Sequence, residues 1–351
     1  MRLTAIAAGI IALAVAGYPA VSATASRASA AARAPQGMPP GPQGARPGNE
    51  TPEPPETSPP LQTGQALQVQ TTVVNVFATV RDHHNGIVSD LNKDDFKVYE
   101  DGVEQKVGYF TKEVDMPITL AILMDTSGSM ANILGAEQDA ASRFVRQVMR
   151  KKDEAMIASF DLDVNLLADF TEDTSVLDRA IHRATINAAG PVITPGTVPM
   201  HGGGTNMYDA IYLACHDQLG TEAGRKALVL LTDAEDTGSK MSEGDAIEAA
   251  QRADSVIHFI LITDYSAIAG YGGGVANHMA TDTGGRVIAV RNEKNLEKAF
   301  TELSEELRSQ YVLGYYPTNP KRDGAFRKIK VEVSRPDVKI LARKGYYAPT
   351  Q

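Results

Sequence analysis

Residues 118–130 decide the fold of this chain, and they read ITLAILMDTSGSM. The run from Ile118 to Met124 is almost continuously apolar, which is typical of a parallel strand that helices cover on both faces. The polar segment behind it starts with Asp125, at the carboxyl end of that strand. Open α/β sheets bind their ligands at this end. The stretch therefore predicts a sheet with helices on both faces and a ligand site at its rim.

The same alternation of strand and helix extends over residues 116–310. Apolar runs at residues 227–231 and 256–262 are similar to the first strand, and stripes of apolar side chains at helical spacing lie between the runs. One helix is predicted at residues 206–219, with the only cysteine, Cys215, on its buried stripe. The predicted fold class is therefore α/β, with a doubly wound, mostly parallel, Rossmann-like sheet.

The two flanks of this region, residues 65–115 and 311–351, change to the alternating pattern of β-strands. Because each flank is too short for a stable sheet of its own, we expect the two to pair into one β-sandwich, with the α/β region inserted between them. The alternative is two separate β extensions that each pack on the α/β region. In the first flank, the predicted inward side chains are Phe96, Val98, Val103, Val107 and Tyr109.

Residues 1–23 carry the pattern of an export signal. Arg2 precedes an apolar run from Leu3 to Gly17, and Val21-Ser22-Ala23 fits a small-x-small cleavage site. The apolar run is short for a membrane span, so we expect a periplasmic, cell-surface or extracellular protein with no span after cleavage. The alternative is an uncleaved N-terminal anchor. Residues 24–64 are rich in Pro, Ala and Gly, and they are predicted to form a disordered linker.

The formal net charge of −9 restricts the classes of partner. Proteins that bind nucleic acid usually carry a basic face, so this charge argues against nucleic-acid binding as the main function. The same charge suits a protein that attracts divalent cations. Because 43% of the residues are hydrophobic, most of the chain is expected to fold.

Oxygen-bearing side chains gather at predicted strand ends and helix starts. Asp125, Ser127 and Ser129 follow the first buried strand, and the spacing of the serines lets both hydroxyls face one point in an extended loop. Asp233 follows another apolar strand, and Thr205 follows three glycines just before a helix. If the two strands are neighbours, these groups lie at one rim. Oxygen ligands with few charges suit Mg²⁺, Mn²⁺ or Ca²⁺ rather than zinc.

The plain alternative is that residues 125–130 only cap the following helix, because Ser and Asp are common at helix starts. Capping alone would not require Thr205 and Asp233 elsewhere in the chain. Four other acids near the rim are interpreted as residues of solvated turns rather than as ligands: Asp161, Asp163, Glu235 and Asp236.

In these residues the chain resembles a von Willebrand factor A domain over residues 117–310. The resemblance implies a metal-ion-dependent adhesion site that binds Mg²⁺ or Mn²⁺, and a protein partner that supplies an Asp or Glu carboxylate. Two departures from the pattern are Ala234, where many relatives have Gly, and the long Pro/Gly-rich stretch at residues 187–204, a predicted lid or specificity loop. The implied ligands are Asp125, Ser127, Ser129, Thr205 and Asp233, the last of them directly or through water.

The flanks carry a resemblance of their own. Phrases at residues 94–102, 311–317 and 343–347 are similar to those of exported bacterial proteins described as VWFA-related acidobacterial proteins.

The favoured hypothesis is an exported, metal-dependent adhesion or protein-binding module without enzymatic activity. One alternative is a magnesium-dependent hydrolase, for which His201 and Glu235 are the nearest candidate bases. The other alternative is a structural envelope protein whose metal only makes the fold rigid.

Overall fold

The computed structural model describes residues 73–113, 116–186, 204–262 and 271–350. The predicted export signal, the linker at residues 24–64 and residues 187–203 of the predicted lid lie outside these ranges. In the described parts of the chain, no helix is long and apolar enough to cross a bilayer.

Strands and helices follow one another in the order that the sequence pattern predicts. The strands are β1 (Val74–Asp82), β2 (Phe96–Glu100), β3 (Val103–Gln105), β4 (Val107–Glu113), β5 (Ile118–Asp125), β6 (Glu154–Phe160), β7 (Val164–Thr171), β8 (Arg225–Thr232), β9 (Ser255–Ile262), β10 (Val287–Val290), β11 (Gln310–Tyr315), β12 (Phe326–Val333), β13 (Val338–Ala342) and β14 (Gly345–Tyr347). The helices are α1 (Leu134–Val148), α2 (Thr174–Ile181), α3 (Met207–Leu213), α4 (Glu243–Arg252), α5 (Tyr271–Thr283) and α6 (Glu293–Arg308).

A six-stranded sheet forms the centre of the α/β region, in the order β10-β9-β8-β5-β6-β7. All neighbouring pairs are parallel except β6 and β7. Every residue of β5 is buried, because its side chains alternate between two helical layers. Leu120 and Ile122 pack with α1, α2 and α6, whereas Ala121 and Leu123 pack with α3, α4 and α5. The predicted doubly wound, mostly parallel sheet is confirmed.

The predicted helix at residues 206–219 is present, but only its first half is a regular α-helix. It begins as α3, continues as a single π-helical turn at residues 214–218, and ends in a 3-10 turn at residues 219–221. Cys215 is fully buried on the inner side of this turn, and burial raises the pKa of its thiol to about 12. A thiol in this state packs like a small apolar side chain.

The two flanks share both sheets of a β-sandwich, as predicted. One sheet has the order β13-β1-β11-β4 and the other β14-β12-β2-β3, so each contains strands from both ends of the chain. Their facing side chains form a single core, which includes Val76, Val98, Leu313 and Val331. The α/β region is therefore inserted between β4 and β11.

Two side chains predicted to point inward, Val103 and Tyr109, are instead 55% and 52% exposed. Val103 opens the short edge strand β3, which no further strand of the described chain covers. Tyr109 lies on the outer face of β4, and its hydroxyl is 2.6 Å from that of Tyr316. The prediction for these two residues was wrong because strand alternation alone does not say which face is inside.

A buried ion-pair network joins the sandwich to the α/β region. Arg81 of β1 donates a hydrogen bond from Nη2 to Glu306 Oε2 of α6 over 2.6 Å, and Arg286 donates to the same oxygen. The Glu306 side chain is 0% exposed. Burial alone would raise the pKa of the Glu306 carboxyl, but the guanidinium groups of Arg286 and Arg81 hold it below its ordinary value. The carboxylate is therefore charged because its partners are in place.

We expect the buried His258 of β9 to make the protein sensitive to mild acid. Burial lowers the pKa of His258 to about 4, from an ordinary value of 6.5. Between these values the unfolded chain binds a proton that the folded protein does not, so stability falls as the pH falls through this window. The loss amounts to about 3 kcal/mol at most. Urea unfolding at a series of pH values measures it.

A matched pair of variants tests the assignment of this pH dependence. His258→Leu removes the titrating group, so its stability should change less with pH between 6.5 and 4. His216 is exposed, and His216→Gln should keep the wild-type profile. An unchanged profile in His258→Leu would contradict the assignment.

Candidate metal centre

Asp125 occupies the carboxyl end of β5, next to the end of β8. The parallel register pairs Met124 with Leu231, which places Thr232 beside Asp125. Thr232 Oγ1 donates to Asp125 Oδ2 over 2.6 Å, and the Ser127 backbone N–H donates to Oδ1 over 2.9 Å. The carboxylate is fully buried and held at both oxygens. Its orientation at the rim is therefore fixed.

Ser127 and Ser129 lie in the short turn that follows. Gly128–Met130 form one turn of 3-10 helix, which brings the two serine hydroxyl oxygens to 3.0 Å from each other. Ser127 is buried and Ser129 is exposed, so the pair reaches from the sheet end toward solvent. The predicted convergence of the two hydroxyls is present.

Thr205 is buried in the loop before α3, and two contacts hold its backbone to Thr237. The Thr205 N–H donates to Thr237 Oγ1, and the Thr237 N–H donates to the Thr205 carbonyl, each over 3.0 Å. The next residue, Asn206, donates its N–H to the carbonyl of Asp161 over 2.8 Å. Thr126 Oγ1 donates to Asp161 Oδ2 over 2.8 Å. Asp161 therefore links the loop of Thr205 to the loop of Asp125.

Asp233 follows β8 directly and is partly exposed. Its Oδ1 accepts a hydrogen bond from the Glu235 N–H over 3.1 Å, and the Ala234 N–H donates to Thr232 Oγ1 over 2.9 Å. Ala234 has φ 60°, in the left-handed region that favours glycine. The backbone of this loop therefore keeps the glycine-type conformation with an alanine in place.

The electrostatics of the rim favour a positive partner. Burial raises the pKa of Asp125 to about 6, hydrogen bonds from Ser127 and Thr232 act against the shift, and the charge of Asp233 adds to it. Among the described residues, no cationic side chain is one of the main influences on the pKa of Asp125. Two carboxylates that repel each other at a buried rim gain stability from any cation between them.

Glu137 is a third carboxylate of this neighbourhood that the sequence analysis missed. It lies in the first turn of α1, is 0% exposed, and neither oxygen has a hydrogen-bond partner among the described residues. Burial and the charges of Asp125 and Asp233 raise its pKa to about 9. The sequence signal was an acid on the buried stripe of an amphipathic helix, between Leu134 and Ala141.

Thr232 and Asp161 were also missed as functional residues. Thr232 could have been found from its place directly before Asp233, at the end of a fully apolar strand. Asp161 was interpreted as a solvated turn residue, but it is 6% exposed and accepts hydrogen bonds from two loops. Asp163 and Glu235 are exposed, as expected of turn residues. Asp236 is partly buried and accepts from the Tyr208 N–H at the start of α3.

The donor set fits a hard divalent cation. One fixed carboxylate, two adjacent serine hydroxyls, a threonine and a second carboxylate stand on three adjoining loops, and all are oxygen donors. The described residues contain no group of three or more His, Cys, Asp or Glu side chains placed to hold a metal ion. That the five residues act as ligands stays a prediction. His201 lies outside the described residues.

Gly272→Ala should disturb the loop that carries Asp233. A Cβ at position 272, in the first turn of α5, would lie 2.9 Å from the carbonyl oxygens of both Asp233 and Ala234. Because these are backbone atoms, the loop must shift, at a cost of about 1–3 kcal/mol. Thermal unfolding with and without Mg²⁺ measures both the loss of stability and the expected loss of the metal response.

Gly274 of the same helix offers the control. A Cβ there meets nothing within 4 Å, so Gly274→Ala should leave the rim unchanged and stabilise α5 slightly. Equal effects of the two substitutions would show that the helix, and not the close approach to Asp233, is responsible.

Comparison with known proteins identifies the central part of the chain. Residues 120–235 match the family model of the von Willebrand factor type A domain, a span that includes all five predicted ligands. The match confirms the predicted resemblance to this family over these residues. The resemblance of the flanks to exported bacterial proteins stays a prediction. No curated protein matches the chain.

Solved structures with similar folds include von Willebrand factor type A from Catenulispora acidiphila, at 13% identity and a TM-score of 0.46, covering 73% of this chain and 74% of that one. The conserved hypothetical protein BatB from Bacteroides thetaiotaomicron is 18% identical with a TM-score of 0.41, and 55% of this chain covers 100% of it. Proximal thread matrix protein 1 from the mussel byssus, with a zinc-occupied MIDAS motif, is 14% identical with a TM-score of 0.47. In that pair, 60% of this chain covers 50% of the mussel protein.

Proposed function

We propose that this chain is an exported, non-enzymatic protein-binding module. In this proposal Asp125, Ser127, Ser129, Thr205 and Asp233 hold a divalent cation, and a protein partner supplies an Asp or Glu carboxylate to it. The observation that carries the proposal is the hydrogen bond of 2.6 Å from Thr232 to Asp125. It fixes the first and third loops side by side at one rim.

Each residue of the rim has a distinct part in this function. The Ser127 N–H and the Thr232 hydroxyl hold the Asp125 carboxylate in one orientation. Asp161 holds the loop of Thr205 against the first loop. A bound divalent cation would supply a positive centre with an exchangeable coordination position, since Mg²⁺ keeps several waters in protein sites. The protein part of the site is therefore organised in advance.

The surroundings of the rim suggest the chemistry of the partner. Leu162 is 42% exposed and packs on Gly204, where an added Cβ would lie 2.8 Å from Leu162 Cδ2. The Leu162 carbonyl accepts a hydrogen bond from Asn206 Nδ2 over 2.5 Å, which holds it beside the loop of Thr205. The segment that fits this rim has an acidic residue next to an apolar one.

The function is tested first by metal binding. Calorimetric titration of the purified protein with Mg²⁺, Mn²⁺, Ca²⁺ and Zn²⁺ should show binding of one ion per chain. Zinc belongs in the series because the mussel protein was solved with zinc in its MIDAS motif. No binding of any of these ions would remove the basis of the proposal.

The second test concerns the partner and the reaction. Capture of a protein from an envelope extract should need Mg²⁺ and stop in chelator. Capture that persists in chelator would count against a metal-bridged carboxylate. Turnover of a generic phosphoester, lost in Asp125→Ala, would favour the hydrolase instead.

A further inference from the structure

Tyr109 and Tyr316 form a pair of exposed phenols on the outer face of the sandwich. Their side chains are 52% and 43% exposed, and the two hydroxyl oxygens are 2.6 Å apart. The ring centroids are 5.9 Å apart, and the ring planes make an angle of 64°. The two residues are 207 positions apart in sequence, so it is the fold that brings the phenols together.

The register of β4 and β11 explains how the pair arises. Tyr109 is opposite Gly314 in the ladder, whereas a bulge after Gly314 places Val107 opposite Tyr315. Val107 and Tyr315 both belong to the core of the sandwich. The alternation of side chains then puts Tyr109 and Tyr316 on the opposite, outer face. The two tyrosines are diagonal neighbours across the ladder, a spacing that aromatic side chains can span.

Two glycines leave room for the rings on this face. A Cβ at Gly314 would lie 3.0 Å from Tyr109 Cβ and 3.3 Å from Tyr109 Cδ2, so a larger residue would crowd that side chain. A Cβ at Gly108 would lie 3.9 Å from Tyr316 Cε2. Each ring therefore packs beside a glycine of the opposite strand, and the backbone keeps the two phenols next to each other.

The arrangement is similar to the product that forms when two phenols couple oxidatively. A one-electron oxidant takes one electron and one proton from each phenol and leaves two phenoxyl radicals. The radicals join through the ring carbons next to their oxygens, and the hydrogen on each of these carbons then moves to the oxygen of the same ring. The product has two hydroxyls side by side across a new carbon–carbon bond, and its rings are twisted against each other. The pair in this protein already has both features.

Other routes to a covalent link are closed in this chain. Tyr315 and Tyr346 also lie close together, because both donate to Glu100 Oε2, over 2.8 and 3.0 Å. Both are buried, so an oxidising enzyme does not reach them. Cys215 is the only cysteine of the chain and is buried as well, so no internal disulfide can form.

We propose that Tyr109 and Tyr316 are an oxidative cross-linking site, at which a peroxidase acting with hydrogen peroxide joins the two rings of one chain by a carbon–carbon bond. The peroxide takes up the two electrons and two protons that the phenols lose, and it is reduced to water. Because the phenols are already in contact, the coupling is a step within one molecule and needs no encounter between chains.

The bond would link β4 to β11, the strands on either side of the inserted α/β region. It closes a loop of the chain that contains this whole region. A cross-link of this kind stabilises the folded state mainly by restricting the unfolded chain. The inference does not depend on a cation at the rim.

Treatment of the purified full chain with a haem peroxidase and hydrogen peroxide tests the site. By mass spectrometry the monomer should become lighter by two hydrogen atoms, and a proteolytic digest should contain the peptides of Tyr109 and Tyr316 joined to each other. The linked fraction should stay the same when the protein is diluted, because both partners are in one chain. The linked protein should also unfold at a higher urea concentration than the untreated protein.

Four variants assign the reaction to this pair. Tyr109→Phe and Tyr316→Phe each remove one phenol and should abolish the linked product, and both should fold because the side chains are exposed. Tyr99→Phe removes a partly exposed tyrosine of the other sheet and should keep the wild-type yield. Gly314→Ala keeps both phenols but crowds Tyr109, so its yield should fall.

Three results would overturn the inference. The first is no link in the wild type under conditions that couple free tyrosine in a parallel reaction. The second is coupling between chains only, seen as dimers whose yield falls on dilution. The third is an unchanged yield of linked monomer in Tyr109→Phe, which would place the link at other tyrosines.

Discussion

Asp125→Ala should abolish the response of the protein to divalent cations. A ligand at 100 times its dissociation constant stabilises the folded state by about 2.7 kcal/mol, so Mg²⁺ should raise the unfolding temperature of the wild type by several degrees. Asp125 is the fully buried carboxylate of the rim, fixed by two hydrogen bonds, and no other described residue holds that place. The unfolding temperature of the variant should therefore be the same in Mg²⁺ and in chelator, as measured by differential scanning calorimetry.

Asp125→Ala is also expected to destabilise the metal-free protein, so the experiment needs control variants. Removing the carboxylate leaves the Ser127 N–H and the Thr232 hydroxyl without their acceptor, at a cost of about 1–3 kcal/mol. Asp125→Asn keeps most of the shape and should lose the metal response with a smaller loss of stability. Asp163→Ala removes an exposed acid of a neighbouring loop and should keep the full response. A normal rise with Mg²⁺ in Asp125→Ala would exclude this carboxylate as a ligand.

Glu306→Ala should destabilise the protein by about 3–5 kcal/mol, because it leaves the buried Arg81 without its counter-charge and Arg286 with only Glu302 as an acidic partner among the described residues. The carboxylate accepts hydrogen bonds from Arg81 of the sandwich and from Arg286 of the α/β region. Both of these side chains are largely buried, so water does not replace the lost partner. Urea unfolding at neutral pH measures the change.

The same helix provides the comparison for Glu306. Glu297 of α6 pairs with Arg143 over 2.9 Å, but its side chain is 63% exposed. Exposed pairs contribute about 0–1 kcal/mol, so Glu297→Ala should have little effect. Similar losses in the two variants would mean that the buried network does not hold the sandwich to the α/β region.

The parts of the fold that the sequence predicted are those with strong apolar patterns. The continuous run at β5 predicted a strand buried on both faces, and period-two alternation in both flanks predicted the shared sandwich. The pairing of β1 with β11 was not readable from either strand alone. The argument that neither flank is large enough by itself predicted a shared sandwich, but not which strands pair.

The predictions that failed were those that depend on neighbours distant in sequence. Val103 and Tyr109 fit the alternating pattern of apolar side chains in their strands. However, Val103 lies on an edge strand and Tyr109 on the outer face of its sheet, which only the order of the strands reveals. Asp161 became a buried link because the loop of Thr205 docks against it. Glu137 was not predicted to be buried, because only the apolar side chains of the α1 stripe were considered. For the candidate site, the sequence predicted the five oxygen donors but not Thr232 and Asp161, which hold the loops of the donors in place.

The insertion of the α/β region between β4 and β11 has a consequence for biosynthesis. Strand β1 pairs with β11 and β13, so its partners leave the ribosome only after the whole inserted region has been made. Strands β1 and β4 therefore wait without their partners, while the α/β region contains all the strands of its own sheet and can fold first. Glu113 of β4 and Gln310 of β11 are paired in the ladder. The folded α/β region therefore brings β4 and β11 together and promotes the assembly of the sandwich.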